Sequence, residues 1–259
     1  MSDRRPVAVV TGAGRGIGRA IALAFAGAGG DVVLAGRDPS TLEATAEVAA
    51  GAGAATLCVR TDVTSEGEVS ALATAASERF GAVDTVVPNS GVGGPSGPLW
   101  ELDRAGWDET FAVNVTGVFL TARAFLPAML DRRRGSIVVL GSMTGKRPLW
   151  GRSPYAASKL ALVGLVRTLA LETAGRGVRV NLVSPGPVEG DRMDWVFRAQ
   201  AKGRGITPEE ARAEMVTQLP IGRLVEADEV ASAVLSLASG ELSAVTGVDL
   251  NVSGGMVMY

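Results

Sequence analysis

The sequence predicts an α/β fold in which helices cover both faces of a parallel, seven-stranded sheet. Short apolar runs alternate with longer segments of helical periodicity along the whole chain. The short runs hold four to six apolar residues without polar alternation, which is typical of strands buried on both faces. No shift in composition marks a second domain, so we expect residues 1–259 to form one three-layer domain.

Each predicted strand is an apolar run that ends at glycine or a turn residue: 7–12, 31–36, 55–63, 83–91, 135–142, 178–186 and 245–255. The predicted helices lie at 19–29, 38–51, 65–81, 107–133, 154–174 and 227–239. Asp38 followed by Pro39 is typical of a helix N-terminus. Pro127 predicts a kink or break in the helix at 107–133.

The connection 187–219 is longer than an ordinary loop. It interleaves charged residues with Met193, Trp195 and Phe197. This pattern favours a mobile helical lid over a substrate cleft. The alternative is a plain surface helix with no role in binding.

The composition excludes several kinds of catalytic site. The chain has no histidine and one cysteine, Cys58, so Ser-His-Asp triads, Cys-His pairs and zinc sites are excluded and we expect no metal. Acid–base chemistry must then use a carboxylate, a lysine or a tyrosine. The net charge of −2 gives no indication of a nucleic-acid partner. We see no signal peptide and no uninterrupted apolar stretch that spans a membrane, so we expect a cytoplasmic protein without a membrane partner.

A glycine-rich segment, TGAGRGIG, follows the first predicted strand and opens the first helix. Gly12, Gly16 and Gly18 allow a tight turn and close approach of the backbone to a pyrophosphate. The helix N-terminus favours the negative charge. We therefore predict that this loop, with Arg15 and Ile17, binds a dinucleotide.

The end of the second strand indicates which dinucleotide binds. Gly36 stands where an acidic residue would bind the adenine ribose diol and repel a 2′-phosphate. Arg37 follows, and Arg15 in the glycine loop adds a second positive charge. Asp38 opposes this interpretation, but N-capping explains Asp38 better. The pattern favours NADP(H) over NAD(H).

Further cofactor contacts are expected at the ends of the next two strands. Asp62 and Val63 end the third strand, where they suit the adenine edge. Asn89 and Gly91 end the fourth strand, where the backbone must pass close to the cofactor.

Three polar residues form the candidate catalytic set. Ser142 ends the fifth strand, and Tyr155 and Lys159 lie one helical turn apart on the following helix. A free tyrosine has a pKa near ~10, which a nearby ammonium lowers. Ser142 is placed to hydrogen-bond the substrate oxygen while Tyr155 exchanges its proton.

Residues 11–18 with Asn114, Ser142, Tyr155 and Lys159 resemble the signature of the classical short-chain dehydrogenase/reductase family, and the likeness covers the whole chain. The resemblance implies a Rossmann-type fold and a homotetramer. It implies that Tyr155 is the general acid/base and that Ser142 orients the carbonyl. It also implies that Lys159 binds the nicotinamide ribose and tunes Tyr155, and that Asn114 holds a water in a proton relay.

The segment after the sixth strand keeps Pro185 and Gly186, and with the backbone of Val188 it is expected to contact the nicotinamide. Gly190 stands where the family commonly has a threonine that contacts the cofactor. Pro88 is a second departure, since it removes a backbone donor after the fourth strand.

The candidate substrate contacts are Met143, Trp150, Arg152 and Trp195. Trp150 and Arg152 lie on the connection between Ser142 and Tyr155. Arg152 either meets an anionic substrate group or points to solvent.

The leading functional hypothesis is an oxidoreductase that transfers a hydride between NADP(H) and a small ketone or secondary alcohol. The alternative within the enzyme class is a 3-oxoacyl-carrier-protein or polyketide ketoreductase. A different class of function is a dinucleotide-binding sensor without catalysis, which has no need of an activated tyrosine.

Overall fold

Seven parallel strands form the sheet in the computed structural model, which describes residues 4–259 apart from the side chains at positions 199, 202 and 203. The strands are β1 (Val7–Thr11), β2 (Asp31–Gly36), β3 (Thr56–Arg60), β4 (Thr85–Val87), β5 (Gly135–Leu140), β6 (Val178–Pro185) and β7 (Asp249–Val252). Their order across the sheet is β3-β2-β1-β4-β5-β6-β7. The strand order reverses between β1 and β4, so a ligand-binding crevice is expected at their carboxyl ends.

The helices are α1 (Gly16–Gly27), α2 (Pro39–Gly51), α3 (Glu66–Phe80), α4 (Arg104–Phe111), α5 (Gly117–Asp131), α6 (Ser153–Thr173), α7 (Asp191–Arg204), α8 (Pro208–Thr217) and α9 (Ala227–Ala238). Asp38 caps α2 as predicted, because its carboxylate accepts a hydrogen bond from the Ser40 amide at 3.0 Å. The predicted fold class is confirmed.

Two hydrophobic clusters lie on opposite faces of the sheet. Helices α1, α2 and α9 bury side chains such as Ile21 and Val230 on one face. Helices α3, α5 and α6 bury Leu72 and Leu162 on the other face. Each fully buried aliphatic side chain contributes roughly 1.5–3 kcal/mol. This burial on both faces produces the three layers.

The long helix predicted at 107–133 has an irregular turn at a position that the sequence analysis did not predict. The predicted break near Pro127 is absent, because α5 continues through Pro127 to Asp131, and a kink at this position stays a prediction. Pro127 lies on the exposed face, where water can satisfy the carbonyl that its ring leaves unpaired. The irregular turn is instead a π-helical segment at Ala112–Thr116, centred on buried Asn114.

The helical stretch Arg104–Asp131 is also long and apolar enough, by length and composition alone, to cross a membrane. The opposite expectation from the sequence rests on Arg123, which interrupts the apolar run of this stretch. Half of the apolar window is buried inside the fold, and Phe125 and Met129 pack in the core. The apolar character of this stretch is therefore accounted for by core packing.

Strand β4 is short because of Pro88. The strand ends at Val87, and Pro88 has no N–H with which to extend the pairing. The Pro88 carbonyl still accepts a hydrogen bond from the Leu140 amide at 3.1 Å. The change in strand pairing that Pro88 predicts is therefore observed as an early end of β4, which has three residues.

The long connection contains two helices, α7 and α8, and it has a hydrophobic cluster of its own. Phe197, Ala211, Leu219 and Leu224 are buried in this third cluster, which is separate from the two sheet-face clusters. A bridge between Val188 and Val225 joins the start of the connection to the chain beyond it. The Arg212 guanidinium donates to both oxygens of Glu189 at 2.6 Å. The α7–α8 segment therefore packs as a unit beside the sheet.

The glycine loop brings β1 and α1 into close contact. A β-carbon at Gly18 would lie 2.1 Å from the Gly12 carbonyl oxygen and 2.5 Å from Nδ2 of Asn89. Gly12 itself has φ +66°, in the left-handed region that glycine adopts without strain. The close approach therefore requires glycine at position 18.

Replacing Gly18 with alanine is expected to lower the free energy of unfolding by about 1–3 kcal/mol, because the new β-carbon overlaps the Gly12 carbonyl. Urea-induced unfolding followed by circular dichroism measures this loss. The matched control is Gly27→Ala on the same helix, where a β-carbon meets nothing within 4 Å. The control is expected to keep or slightly raise stability. Equal losses in the two variants would contradict the proposed close contact.

Candidate active site

Ser142, Tyr155 and Lys159 meet at the carboxyl end of β5. Ser142 follows this strand, and its hydroxyl accepts a hydrogen bond from the Thr144 amide at 3.2 Å. Tyr155 and Lys159 lie in the first two turns of α6 and are 8% and 5% exposed. Their four-residue spacing places both on the buried face of the helix.

The Lys159 ammonium is held between the strand end and the tyrosine. Its Nζ donates to the Leu140 carbonyl at 2.8 Å and lies 5.9 Å from the centroid of the Tyr155 ring. Burial lowers the pKa of Lys159, and Arg192 lowers it further, while Tyr155 opposes both effects. The ammonium is thus fixed as a neighbouring charge for Tyr155.

The electrostatic environment favours ionisation of Tyr155. Burial by itself raises the pKa of the phenol. The positive charge of Arg192, then that of Lys159, then hydrogen bonding by the Ser142 hydroxyl and the charge of Arg152 outweigh burial, and they lower the pKa to about 8. A phenol with this pKa exchanges its proton near neutral pH, which an ordinary tyrosine does not.

Asn114 joins three parts of the site through its side chain. Its Oδ1 accepts from the Val92 amide at 2.8 Å, and its Nδ2 donates to the Val92 carbonyl at 3.0 Å. The same Nδ2 donates to Ser158 Oγ at 3.0 Å, and Ser158 donates to the Tyr155 carbonyl at 2.8 Å. A β-carbon at Gly91 would lie 3.2 Å from Asn114 Oδ1, so Gly91 lies in this cluster. Asn114 therefore fixes the loop after β4 against α6.

The cofactor-binding candidates of the glycine loop lie at the N-terminus of α1. Gly16 has φ +53°, Arg15 is exposed, and Ile17 is partly buried. Gly18 packs against the Gly12 carbonyl as described above. Unpaired amides at a helix N-terminus suit a phosphate, and no side chain on the glycines blocks its approach. The loop fits a dinucleotide pyrophosphate.

Thr11 and Asn89 connect this loop to the next strand. The Thr11 hydroxyl accepts from the amides of Asn89 and Ser90 at 3.0 and 3.1 Å. The Asn89 side chain donates to the Thr11 carbonyl at 2.9 Å. The Asn89 side chain therefore positions the loop, in addition to its predicted place beside the cofactor.

The candidate adenine side lies at the ends of β2 and β3. Arg37 is exposed there. The pKa of Asp62 is lowered first by the Thr64 amide and hydroxyl, which hydrogen-bond its carboxylate, and also by the charges of Arg37 and Arg60. Val63 is buried, and a β-carbon at Gly117 would lie 2.7 Å from its side chain, so Val63 packs towards α5.

The candidate nicotinamide side lies at the end of β6. Pro185 ends the strand, and the Gly186 amide donates to the Val252 carbonyl at 2.9 Å. Val188 is tied to Val225. Gly190 has φ +129°, a conformation that threonine rarely adopts. A threonine at this position would therefore be strained in the backbone conformation that Gly190 adopts.

The four candidate substrate residues occupy different environments. Met143 is buried in the 3₁₀ turn after Ser142, whereas Trp150 and Trp195 are 83% and 55% exposed. The Arg152 guanidinium lies 5.0 Å from the centroid of the Tyr155 ring. The structure thus places Arg152 directly against Tyr155.

Three residues at the site escaped the sequence analysis. Thr11 is the first residue of the glycine-rich segment and Ser158 lies between Tyr155 and Lys159, but neither was given a role of its own, although a hydroxyl at a strand end was an available signal for Thr11. Arg192 lies on α7, and its guanidinium is 5.0 Å from the Tyr155 ring centroid. No local pattern links residues so far apart in the chain.

Comparison with known proteins identifies the family. Residues 12–257 match the family described as enoyl-(acyl carrier protein) reductase. The 2-(S)-hydroxypropyl-CoM dehydrogenase 3 of Xanthobacter autotrophicus is 38% identical over 258 residues, which are 99% of each chain.

Two solved structures share the fold. A variant of actinorhodin polyketide ketoreductase with NADPH has a TM-score of 0.95 and 37% identity, covering 98% of both chains. A xylitol dehydrogenase bound to NAD⁺ has a TM-score of 0.93 and 29% identity, covering 98% of this chain and all of the other. The chain belongs to the classical short-chain dehydrogenase/reductase family, the nicotinamide-dependent oxidoreductases of CH–OH and C=O groups.

Proposed function

We propose that this protein is an NADP(H)-dependent reductase of small ketones, or dehydrogenase of the corresponding secondary alcohols, with Tyr155 as its general acid/base. The observation that carries the proposal is the buried Tyr155, whose pKa is lowered to about 8 beside Lys159, Ser142 and two arginines. Such a group supplies the proton exchange that hydride transfer to a carbonyl requires.

Ser142, Tyr155 and Lys159 each have a separate role in the proposed reaction. The Ser142 hydroxyl donates a hydrogen bond that orients the substrate carbonyl, and the Tyr155 phenol gives its proton to the carbonyl oxygen. A nicotinamide held at this site would supply the hydride to the carbonyl carbon, which would convert a ketone into a secondary alcohol. Lys159 stabilises the phenolate that remains and is placed to hold the nicotinamide ribose. In the direction of oxidation, the Tyr155 phenolate removes the hydroxyl proton.

Asn114 supports this arrangement as a positioning residue. Its amide holds Val92 and Ser158, and Ser158 holds the Tyr155 carbonyl. The family resemblance adds a water in a proton relay next to Asn114. The α7–α8 segment is proposed to act as a lid, since its separate hydrophobic cluster lets it move without opening either sheet-face cluster.

The preference for NADP(H) rests on charge at the end of β2. Gly36 provides no carboxylate, and a β-carbon there would point at the Leu42 side chain 3.2 Å away. Arg37 and Arg15 are exposed and cationic. Asp62 lies within electrostatic reach of Arg37 and partly offsets it. One structural neighbour binds NADPH and another binds NAD⁺, so both dinucleotides are compatible with the fold.

A carrier-protein or polyketide ketoreductase is the second candidate. The family description and the actinorhodin ketoreductase neighbour favour it. A sensor without catalysis is disfavoured, because the chain retains the Ser142, Tyr155 and Lys159 set. A homotetramer and a cytoplasmic location stay predictions.

Substituting Tyr155 with phenylalanine is expected to lower kcat for ketone reduction by about 10²–10⁴-fold, because the proton donor is removed. Affinity for NADPH, measured by nucleotide fluorescence, is expected to change little. A panel of small ketones with purified protein provides the rates. Turnover equal to that of the wild type would show that Tyr155 is not the acid.

The pH dependence of kcat/KM is expected to report the ionisation of Tyr155 both for alcohol oxidation and for ketone reduction. Tyr155 has a pKa of about 8, so kcat/KM for alcohol oxidation is expected to rise with pH through that value as phenolate forms. The value for ketone reduction is expected to fall over the same range, because the phenol is lost. Profiles that move together in both directions would contradict the assignment.

Changing Arg37 to aspartate is expected to reduce the ratio of kcat/KM for NADPH over NADH by about tenfold or more, since the 2′-phosphate loses a cation and meets a carboxylate. Steady-state kinetics with both nucleotides measures the ratio. Arg176→Asp is the matched control, because Arg176 lies just before β6 at the opposite edge of the sheet. A preference for NADH in the wild type would contradict the role given to Arg37.

A further inference from the structure

Two arginines from different elements converge on the ring of Tyr155. Arg152 immediately precedes α6, and Arg192 lies in the first turn of α7. The central guanidinium carbon of each lies 5.0 Å from the ring centroid. The proposed acid/base therefore has two guanidinium groups beside it in addition to the Lys159 ammonium.

The two guanidinium groups also lie beside the same residue, Gly93, in the loop after β4. A β-carbon at Gly93 would lie 3.3 Å from Nη2 of Arg152 and 3.6 Å from Nη2 of Arg192. Glycine at this position therefore lets both groups of donors come close to the loop, next to the ring of Tyr155.

The charges at this place are not balanced by the protein. Within the described residues, neither Arg152 nor Arg192 forms a salt bridge, whereas Arg204, Arg212 and Arg223 pair with Glu214, Glu189 and Glu229. The charged groups that act on Arg152 are Tyr155 and Arg192, and neither is a carboxylate. Burial lowers the pKa of Arg152, and the like charge of Arg192 adds to that effect. Arg152 is partly buried and Arg192 is exposed, so two like charges lie close together at the solvent edge of the site, where an anion between them is favoured.

We propose that Arg152 and Arg192 form a clamp for an anionic group of the substrate. The preferred substrates are then ketones or secondary alcohols that carry a carboxylate or a similar oxyanion a few bonds from the reacting carbon. Each guanidinium presents a planar fork of donors that matches two anion oxygens. This inference rests on the proposed function and narrows its substrate class.

The clamp also connects the proposed lid to the catalytic helix. Arg152 is attached to α6, whereas Arg192 belongs to α7, whose first residue follows Gly190. An anion bound by both arginines would hold α7 in its place against Tyr155. Binding of the correct substrate thereby covers the site in which the proton is exchanged.

The test compares substrates that differ only in the anion. Laevulinate and acetoacetate are each paired with their methyl esters, and kcat/KM is measured for the four ketones with NADPH at one pH. The wild type is expected to favour the acids over the esters. Arg152→Gln and Arg192→Gln are each expected to reduce the acid-to-ester ratio by about tenfold to a hundredfold. The ratio is the readout because Arg192 also affects the pKa of Tyr155, and that effect is common to acid and ester.

Two further variants control for charge and geometry. Arg198→Gln removes the same charge from the same helix, about 9 Å further along its axis and on a different face, and is expected to leave the ratio unchanged. Arg152→Lys keeps the charge without the planar fork and is expected to restore part of the preference. Equal kcat/KM for acid and ester in the wild type, with ratios unchanged in both glutamine variants, overturns the clamp. A rise in the KM for NADPH that is equal for all four ketones in Arg192→Gln also overturns it, by assigning Arg192 to a cofactor phosphate.

A binding measurement separates failure of the clamp from failure of the proposed function. Isothermal titration calorimetry follows laevulinate binding to the full chain with NADP⁺. Weaker laevulinate binding in both glutamine variants than in the wild type supports the clamp, whether or not any ketone turns over. Absence of turnover for every ketone rejects the reductase and leaves the clamp standing. If acids and esters both turn over and laevulinate binds the wild type and the two glutamine variants equally well, the reductase is retained and the clamp is rejected.

Discussion

The buried contact between the Lys159 ammonium and the Leu140 carbonyl is the constraint on which the candidate site depends. A buried ammonium is costly unless its donors are satisfied, and this one donates at 2.8 Å to the last residue of β5. The bond fixes the start of α6 against the strand end, and it thereby fixes Tyr155 one turn earlier. The shared burial then makes their charges interact strongly, because little water screens them.

A second group of hydrogen bonds holds the loop after β4 between the two halves of the site. Thr11 and Asn89 tie this loop to β1, while Asn114 ties it to α6 through Ser158. The π-helical turn at Ala112–Thr116 is associated with this connection, since it carries Asn114 into the core. The glycine loop and the tyrosine are thus positioned by one continuous set of contacts.

The positive charge around Tyr155 links chemistry to substrate choice. The same guanidinium groups that lower the pKa of the phenol lack carboxylate partners within the described chain. Because one of them belongs to α7, the electrostatics of the tyrosine depend on where that helix lies. Movement of the α7–α8 segment as the proposed lid would therefore also change the proton affinity of Tyr155.

The parallel sheet, the glycine loop and the pair Tyr155 and Lys159 could all be predicted from the sequence. These features depend on local periodicity, on close backbone approach or on spacing within one helix, and all of these can be read from neighbouring residues. Local patterns predicted a break at Pro127, where α5 continues, and they missed the π turn that carries Asn114, whose hydrogen bonds are to distant segments. The contact between Arg192 and Tyr155 and the hydrogen bond by which Asn89 holds the glycine loop became visible in the folded chain alone. Such contacts join distant segments, and packing of whole elements decides them.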